Sequence, residues 1–329
     1  MSATPRARAA RLLRWYPAIW RERYGGEFAE LLIADIEERP ISATRALDVV
    51  RSGLAARLAV AGLADLPLLA DPRHRVRVSL GTLCVAFAAC LALGTAMWSQ
   101  LAIAWEWTSP STATPPTMRA TLVMSAAILV FLALIVLAVA PVGYAIARNF
   151  SRRLFVPLLV LAVAVSLLAF GGHHFLYQWP GSGGHGEDGS LFPVIPAGLQ
   201  AFAWSLTCWF SSAWGHWSWL SGFSGWELAW MAASPVALAV AAAAAGILVR
   251  RAELSPRVLA YETGLAALAC AAVAVFLGGC GSWVYAGRAS GLAHAGQVDI
   301  AATVLLALAL AVACQAQRTA LRTVRLVRR

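Results

Sequence analysis

Lysine is missing from this sequence, because every one of its 26 basic residues is an arginine. A P-loop nucleotide site, a protein-kinase nucleotide site and a pyridoxal Schiff base each depend on a lysine side chain. The chain therefore cannot build any of these three sites, and we do not expect it to hydrolyse ATP.

Charged residues of either sign are scarce. They make up 13% of the chain, against 60% for hydrophobic residues, and the mean hydropathy is +0.69. Soluble domains carry about a quarter charged residues. The composition therefore predicts an integral membrane protein, and the excess of arginine over acidic residues gives it a net charge of +10.

Recognisable catalytic and metal-binding motifs are also lacking. The sequence has neither the H-E-x-x-H helix of zinc proteases nor the G-x-S-x-G turn of serine hydrolases. No two of its cysteines form a C-x-x-C pair, so we interpret them as small packing residues, with a Cys208–Cys280 disulfide as the alternative. We predict no enzyme, no cofactor and no metal site. A zinc or copper site is the alternative for five histidines that map to the outer side of the membrane: His173, His174, His185, His216 and His294.

Six apolar stretches each reach the roughly 20 residues that a helix needs to cross a bilayer. They lie at about 78–101, 120–147, 154–177, 228–249, 259–283 and 297–317. A seventh stretch at 192–214 is long enough as well, so the distribution of arginine has to decide the count. With six spans only Arg119 and Arg288 lie on the side away from the N-terminus. Seven spans would also move two groups of arginines to that side: Arg250, Arg251 and Arg257, and the five arginines of the C-terminal tail. We therefore predict six spans in the cell (inner) membrane, with both termini in the cytoplasm.

Tryptophan is concentrated between the third and fourth predicted spans. Residues 192–225 contain a dense series of indoles, and indole rings prefer the headgroup level of a bilayer. Pro193 and Pro196 mark the predicted start of this segment. We predict an interfacial or re-entrant segment on the outer face that does not cross the membrane.

Residues 1–72 are charged and amphipathic, and they predict three helices. Thr4-Pro5, Pro17 and Ser42 are typical helix starts. Five apolar residues at spacings of three and four predict the buried face of the third helix: Leu47, Val50, Leu54, Leu58 and Ala61. The predicted fold is thus an all-α polytopic membrane helix bundle at residues 73–329, preceded by a small N-terminal cytoplasmic helical domain at residues 1–72. The three helices of that domain either pack their apolar faces against one another or lie on the membrane.

Ionisable side chains are almost absent from the predicted spans. Glu262, Asp299 and Glu227 are expected near span ends, where interfacial solvation or local pairing explains them better than a transport role. The glycines of residues 278–281 favour close helix packing, with a break in the helix as the alternative. A proton-coupled carrier is therefore disfavoured.

The stretch from Leu12 to Phe28 reads LLRWYPAIWRERYGGEF. It resembles the Y-P-x-x-W-R-x-R-Y-G-x-E opening of many uncharacterised actinobacterial membrane proteins, and residues 46–54 are similar to the continuation of that opening. The resemblance implies a short cytoplasmic helical segment ahead of several membrane spans. Some of the proteins it resembles are permease-like, and others resemble signalling segments encoded beside PadR-type regulators.

Residues of this motif are expected to serve two purposes. Four are predicted to be structural: Tyr16, Pro17, Trp20 and Tyr24. The helical spacing of the apolar residues predicts a buried stripe on the second helix, formed by Trp20, Tyr24, Phe28, Leu31 and Leu32. Three charged residues are predicted to bind a partner: Arg21, Arg23 and Glu27. An interruption of the helix at Gly25-Gly26 is the alternative, because glycine costs about 1 kcal/mol relative to alanine inside a helix.

The leading functional hypothesis is a non-enzymatic membrane protein, regulatory or part of a larger complex, whose N-terminal helices bind a cytoplasmic protein. The alternative is a permease-type transporter subunit that works with a separate ATPase. The basic N-terminal helices are expected to meet anionic lipid rather than nucleic acid, because they lead directly into a membrane domain.

Overall fold

The computed structural model describes residues 4–39, 41–64, 71–102, 115–177, 225–289 and 297–327. The regular elements within these ranges are all helices. In chain order they are α1 (Pro5–Leu13), α2 (Ala18–Glu38), α3 (Ala43–Val60), α4 (Pro72–Ala102), α5 (Pro115–Arg148), α6 (Arg152–Tyr177), α7 (Gly225–Arg251), α8 (Pro256–Ala289) and α9 (Gln297–Val327).

Helices α4 to α9 confirm the six predicted spans. Each contains an apolar segment that is long enough to cross a membrane: Pro72–Thr95, Met118–Arg148, Arg152–Phe170, Leu228–Arg251, Pro256–Ala286 and Ala301–Arg325. The segment of α4 begins six residues before the predicted boundary, and that of α9 extends eight residues beyond it. Both extensions carry arginines, which hydropathy alone assigns to the water phase. The Trp-rich segment and the possible seventh span lie outside the described residues.

Helix α4 lies at the centre of the bundle. It packs most extensively against α9 and α7, and less extensively against α8 and α5. Helix α5 packs on α8, while α6 packs on α7. The segments of α5 and α6 are only 22% and 17% buried within the protein, so these two helices leave the largest apolar surface for lipid.

Two glycines allow α4 and α7 to cross in close contact. A Cβ atom added to Gly246 would lie 2.7 Å from the carbonyl oxygen of Gly81, and one added to Gly81 would lie 2.8 Å from that of Gly246. Small residues at a crossing allow backbones to approach, which is how helices associate in lipid without a hydrophobic driving force. Gly279 has the same role between α8 and α5, where an added Cβ would lie 2.7 Å from the Met124 side chain. Helix α8 is continuous through this region, so packing explains Gly279, and the alternative of a broken helix is wrong.

One end of the bundle gathers most of the arginines in the described spans, and we call it the arginine-rich end. Here Arg77 of α4 donates to the carbonyl oxygen of Ala252 (3.0 Å), and Arg251 donates to that of Arg153 (3.1 Å). The starts of α4, α6 and α8 and the ends of α5, α7 and α9 meet at this end. Arg119 belongs to the opposite end, because it lies near the start of α5.

Helices α1, α2 and α3 share a separate apolar cluster with six buried members: Ala9, Tyr16, Leu32, Ile36, Val49 and Ala56. The predicted caps are confirmed for α1 and α3, where the Thr4 and Ser42 hydroxyls accept from the backbone N–H groups of Ala7 and Arg45. The C-terminus of α3 ends in a Schellman turn, with Gly62 at φ +76° and a Leu63 N–H to Leu58 carbonyl bond of 2.8 Å.

Candidate partner-binding surface

Tyr16 is the centre of the N-terminal cluster. Its ring stacks on Trp20, with centroids 3.9 Å apart, and meets the edge of Phe28 at 5.6 Å. Its hydroxyl group lies near the Ser52 side chain of α3, and burial raises the pKa of this hydroxyl above its usual value. Tyr16 is therefore a buried packing residue of the cluster that the three helices share.

The other three motif residues with a predicted structural role differ in their burial and contacts. Pro17 is the N-cap residue of α2, as the sequence predicts, with Trp20 and Arg21 donating to its carbonyl oxygen. Trp20 is half-buried against the cluster. Tyr24 is 38% exposed, so the prediction that it belongs to the buried stripe is wrong. Helix α2 continues without a break through Gly25-Gly26, which also rules out the predicted alternative of an interrupted helix.

Contact between α1 and α3 depends on Gly53. A Cβ atom at this position would lie 2.8 Å from the Cβ of Trp15 and 2.9 Å from its backbone carbon. Arg57 completes the contact by donating to the carbonyl oxygens of Trp15 (2.6 Å) and Arg14 (2.7 Å), which caps the end of α1. This arginine has a structural role. The sequence alone does not distinguish it from the arginines nearby that make no such contact.

One ion pair connects α2 to α3. Arg45 contacts the Asp35 carboxylate at 3.1 Å and also donates to the carbonyl oxygens of Asp35 and Arg39. The chain reversal between the two helices is therefore held by one guanidinium group, which sequence reasoning did not identify.

The three predicted partner-binding residues do not share one face of α2. All three are exposed. Arg23 and Glu27 are one helical turn apart and point outward, whereas Arg21 lies roughly 160° around the helix from Arg23. The guanidinium group of Arg23 lies over the ring of Tyr24, 5.2 Å from its centroid. The structure thus brings Arg23, Tyr24 and Glu27 together, and leaves Arg21 on the side of Gly25, whose added Cβ would lie 3.5 Å from the Arg21 Cβ.

Apolar side chains accompany these charges on the outward side of α2. Leu31 is 69% exposed, although Leu32 beside it is buried, so the predicted burial of Leu31 is wrong. Ile19 is also exposed, one turn before Arg23. We use the name α2 outer face for Ile19, Arg23, Tyr24, Glu27 and Leu31.

The buried face of α3 is the reverse of the predicted one. Its buried residues are Val49, Gly53, Ala56 and Ala59. Leu47, Leu54 and Leu58 are 67%, 44% and 47% exposed on the opposite side. The close approach of α1 requires small residues, and Gly53 and Ala56 meet that requirement where leucine does not. We call Leu47, Leu54 and Leu58 the α3 leucine stripe.

Glu262 lies near a span end, as the sequence predicts, but it is buried there. It is only 7% exposed, and its Oε1 atom has no hydrogen-bond partner among the described residues. The adjacent Thr263 carbonyl oxygen accepts from Nε2 of Gln317 in α9 at 2.6 Å. Glu262 is therefore enclosed by the bundle near the arginine-rich end, and the prediction of interfacial solvation or local pairing is wrong for it. The same prediction for Glu227 and Asp299 concerns side chains that lie outside the described part of the structure.

Three cysteines from three helices converge within the spans. The thiol of Cys270 in α8 lies close to that of Cys314 in α9, and Cys90 of α4 lies near both. Motif searching along the chain missed them, because the tertiary fold and not the spacing brings them together. The described part of the chain contains no group of three histidine, cysteine or acidic side chains arranged to hold a metal ion. Cys280 is a free thiol, 3.5 Å from the Met124 sulfur, and Cys208, its suggested disulfide partner, lies outside the described residues.

An apolar cavity of about 20 Å³ lies among α4, α5, α8 and α9. It is lined by residues that include Cys90, Phe131 and Phe276. Its volume is that of about one water molecule, and a lining without several polar groups gives a water nothing to bind. This cavity therefore offers no place for a polar substrate.

No protein-family model, curated protein or solved structure matches this chain.

Proposed function

We propose that this protein is a non-enzymatic component of the cell membrane whose N-terminal helices bind a cytoplasmic protein, as a regulator or as a subunit of a larger complex. The observation that carries the proposal is the α2 outer face. It combines exposed apolar side chains with charges that have no ion-pair partner among the described residues.

The composition of this face suits protein recognition. Tyr24 and Leu31 supply apolar area that stabilises an interface when it is removed from water. Arg23 and Glu27 supply opposite charges that select a partner with the complementary pattern. Lipid would accept the apolar groups of this face, but an anionic lipid surface would repel Glu27 and the four other glutamates of α2.

Cytoplasmic orientation is supported by the distribution of arginine. The arginine-rich end and the N-terminal helices lie on the same side, because Gln315 of α9 donates to the carbonyl oxygen of Leu63 at 3.0 Å. Short segments that flank membrane spans carry excess arginine on the cytoplasmic side. The resemblance of residues 11–60 to the opening of actinobacterial membrane proteins supports the same arrangement.

The permease-type subunit remains the alternative hypothesis. It requires a polar substrate path among the spans, and the described cavity among α4, α5, α8 and α9 is apolar and about 20 Å³ in volume. A gene for an ATPase next to the gene for this protein would favour the permease, whereas a PadR-type regulator would favour signalling.

The test is co-purification of tagged, full-length protein from its native membranes. Arg23→Glu combined with Glu27→Arg inverts the charge pattern of the α2 outer face without changing the net charge. Exposed charges contribute little to folding, so we expect the variant to retain its helix content and thermal stability. We expect it to lose a protein that the wild type retains through purification.

The matched control exchanges charges elsewhere, with Arg11→Glu combined with Glu253→Arg, which are both exposed. This control should retain the partner. Arg21→Glu in a further variant tests whether the other side of α2 also contributes. If the Arg23/Glu27 variant keeps every partner of the wild type, the proposed function is wrong.

A further inference from the structure

The α3 leucine stripe is an apolar surface without a covering element in the described part of the chain. Its three leucines are seven and four residues apart, so they form one line along about 17 Å of the helix. The opposite side of α3 already packs in the N-terminal cluster. An exposed row of leucines on one side of a helix marks an interaction surface.

The end of α3 is fixed to the membrane-spanning bundle. Ser79 of α4 donates to the carbonyl oxygen of Gly62 at 3.0 Å, and the Thr82 hydroxyl donates to that of Ala61. Ser79 is seven residues into α4, about 10 Å from its start along the helix axis. Leu58 is one turn from this attachment, so the stripe begins beside the bilayer.

Basic residues flank the stripe. Arg51 is exposed between Leu47 and Leu54 along the chain, roughly 40° around the helix from Leu47. Arg57 is exposed on the other side of the stripe, roughly 80° around the helix from Leu47. Trp15 lies at Gly53 on the packed side of α3 and is not part of this border. A row of leucines bordered by arginines is typical of helices that lie in the interface of an anionic membrane.

We propose that α3 is an interfacial helix whose leucine stripe lies in an anionic phospholipid leaflet at the arginine-rich end. Attachment of α3 to α4 makes lipid the nearest apolar phase, and the flanking arginines match anionic headgroups. This surface is distinct from the α2 outer face, so the N-terminal helices are oriented by one face and free to bind protein with another. The inference does not depend on the proposed function.

The test uses a photoreactive residue in the full-length protein, with Leu54→benzoylphenylalanine reconstituted into vesicles of mixed phosphatidylglycerol and phosphatidylcholine. Illumination should attach lipid to the α3 peptide, as measured by mass spectrometry. The matched control is Asp48→benzoylphenylalanine, which is exposed and roughly 100° around α3 from Leu47. We expect several-fold more lipid adduct at position 54 than at position 48, and less adduct in vesicles of phosphatidylcholine alone.

Leu58→benzoylphenylalanine tests a second position of the stripe, in case the reactive group at position 54 crosslinks poorly. It should behave like Leu54→benzoylphenylalanine. Equal lipid adducts at positions 48 and 54, or equal yields in the two kinds of vesicle, would overturn the proposal. A crosslink to a second copy, or to another protein when the labelled chain is illuminated in native membranes, would overturn it too. Those results would leave the co-purification test of the α2 outer face unaffected.

Discussion

Tyr16 shows how much of the N-terminal structure depends on one side chain. Its ring contacts those of Trp20 and Phe28, and its hydroxyl group lies near the Ser52 side chain. Buried aromatic rings in stacked and edge contacts add about 0.5–1.5 kcal/mol beyond their buried area. The exposed Tyr24, eight residues later in the same motif, has no comparable part in the cluster.

Alkaline pH should weaken the N-terminal helices through Tyr16. Burial raises the pKa of the Tyr16 hydroxyl above its ordinary value of 10.0 in the folded state. The folded state therefore favours the neutral phenol, so this contribution to stability is complete below pH 10 and is lost as the pH rises through the folded-state pKa. The measurement is the rate at which an alkaline protease cleaves the full-length protein between residues 4 and 63.

Tyr16→Phe is the matched variant for this measurement. It should keep most of its stability near neutral pH, because the ring contacts with Trp20 and Phe28 remain. Its cleavage rate should not show the additional rise above pH 10. If the wild type and the variant accelerate equally with pH, Tyr16 is not the titrating group.

At the scale of elements, helix crossings are set by small residues. Helix α7 meets α4 where Gly246 and Gly81 face each other, and α8 meets α5 at Gly279. The same principle governs α3, whose buried side carries Gly53 and alanines while its leucines point away. Apolar periodicity located the stripe correctly but assigned it to the wrong side, because it ranks leucine above glycine as a core residue.

Gly246→Leu should separate α4 from α7. Its Cβ atom would lie 2.7 Å from the Gly81 carbonyl oxygen, and a backbone atom cannot give way as a flexible side chain can. Overpacking of this kind typically costs about 1–3 kcal/mol. We expect a lower thermal unfolding midpoint in detergent, followed by circular dichroism.

The control for this crossing is Gly264→Leu on α8, where an added Cβ meets nothing within 4 Å. It should leave the midpoint unchanged or raise it slightly, since glycine disfavours helix by about 1 kcal/mol relative to alanine. Equal losses from the two substitutions would show that the close approach of α4 and α7 does not determine stability.

At the scale of the molecule, six spans place the N- and C-terminal segments on the same side of the membrane. Helices α3 and α9 meet there through Leu63 and Gln315, and α4 and α7 meet there through Arg77 and Ala252. A seventh crossing between α6 and α7 would put the two partners of each hydrogen bond on opposite sides.

Reporter fusions test this topology in cells. Fusions after Arg152, Leu254 and Arg329 should report the cytoplasm, and a fusion after His185 should report the other side, because arginine-rich segments stay inside. An extracytoplasmic signal at Leu254 or Arg329 would contradict the six-span topology and the cytoplasmic location of the proposed partner surface.

The sequence by itself determined the class of protein, the six spans and the starts of the N-terminal helices. Span prediction succeeds because the bilayer requires about 20 consecutive apolar residues, a condition that acts locally along the chain. Helix starts at Thr4, Pro17 and Ser42 are local for the same reason.

Only the tertiary structure decided which residues face one another. It buried Glu262, brought together cysteines 90, 270 and 314, and turned the α3 leucine stripe outward. It also placed Arg21 on a different side of α2 from Arg23 and Glu27, although all three residues lie within one short stretch of the motif. These outcomes depend on the distance between helix backbones, and that distance is set at a few contacts such as Gly53 with Trp15 that join residues far apart in the chain.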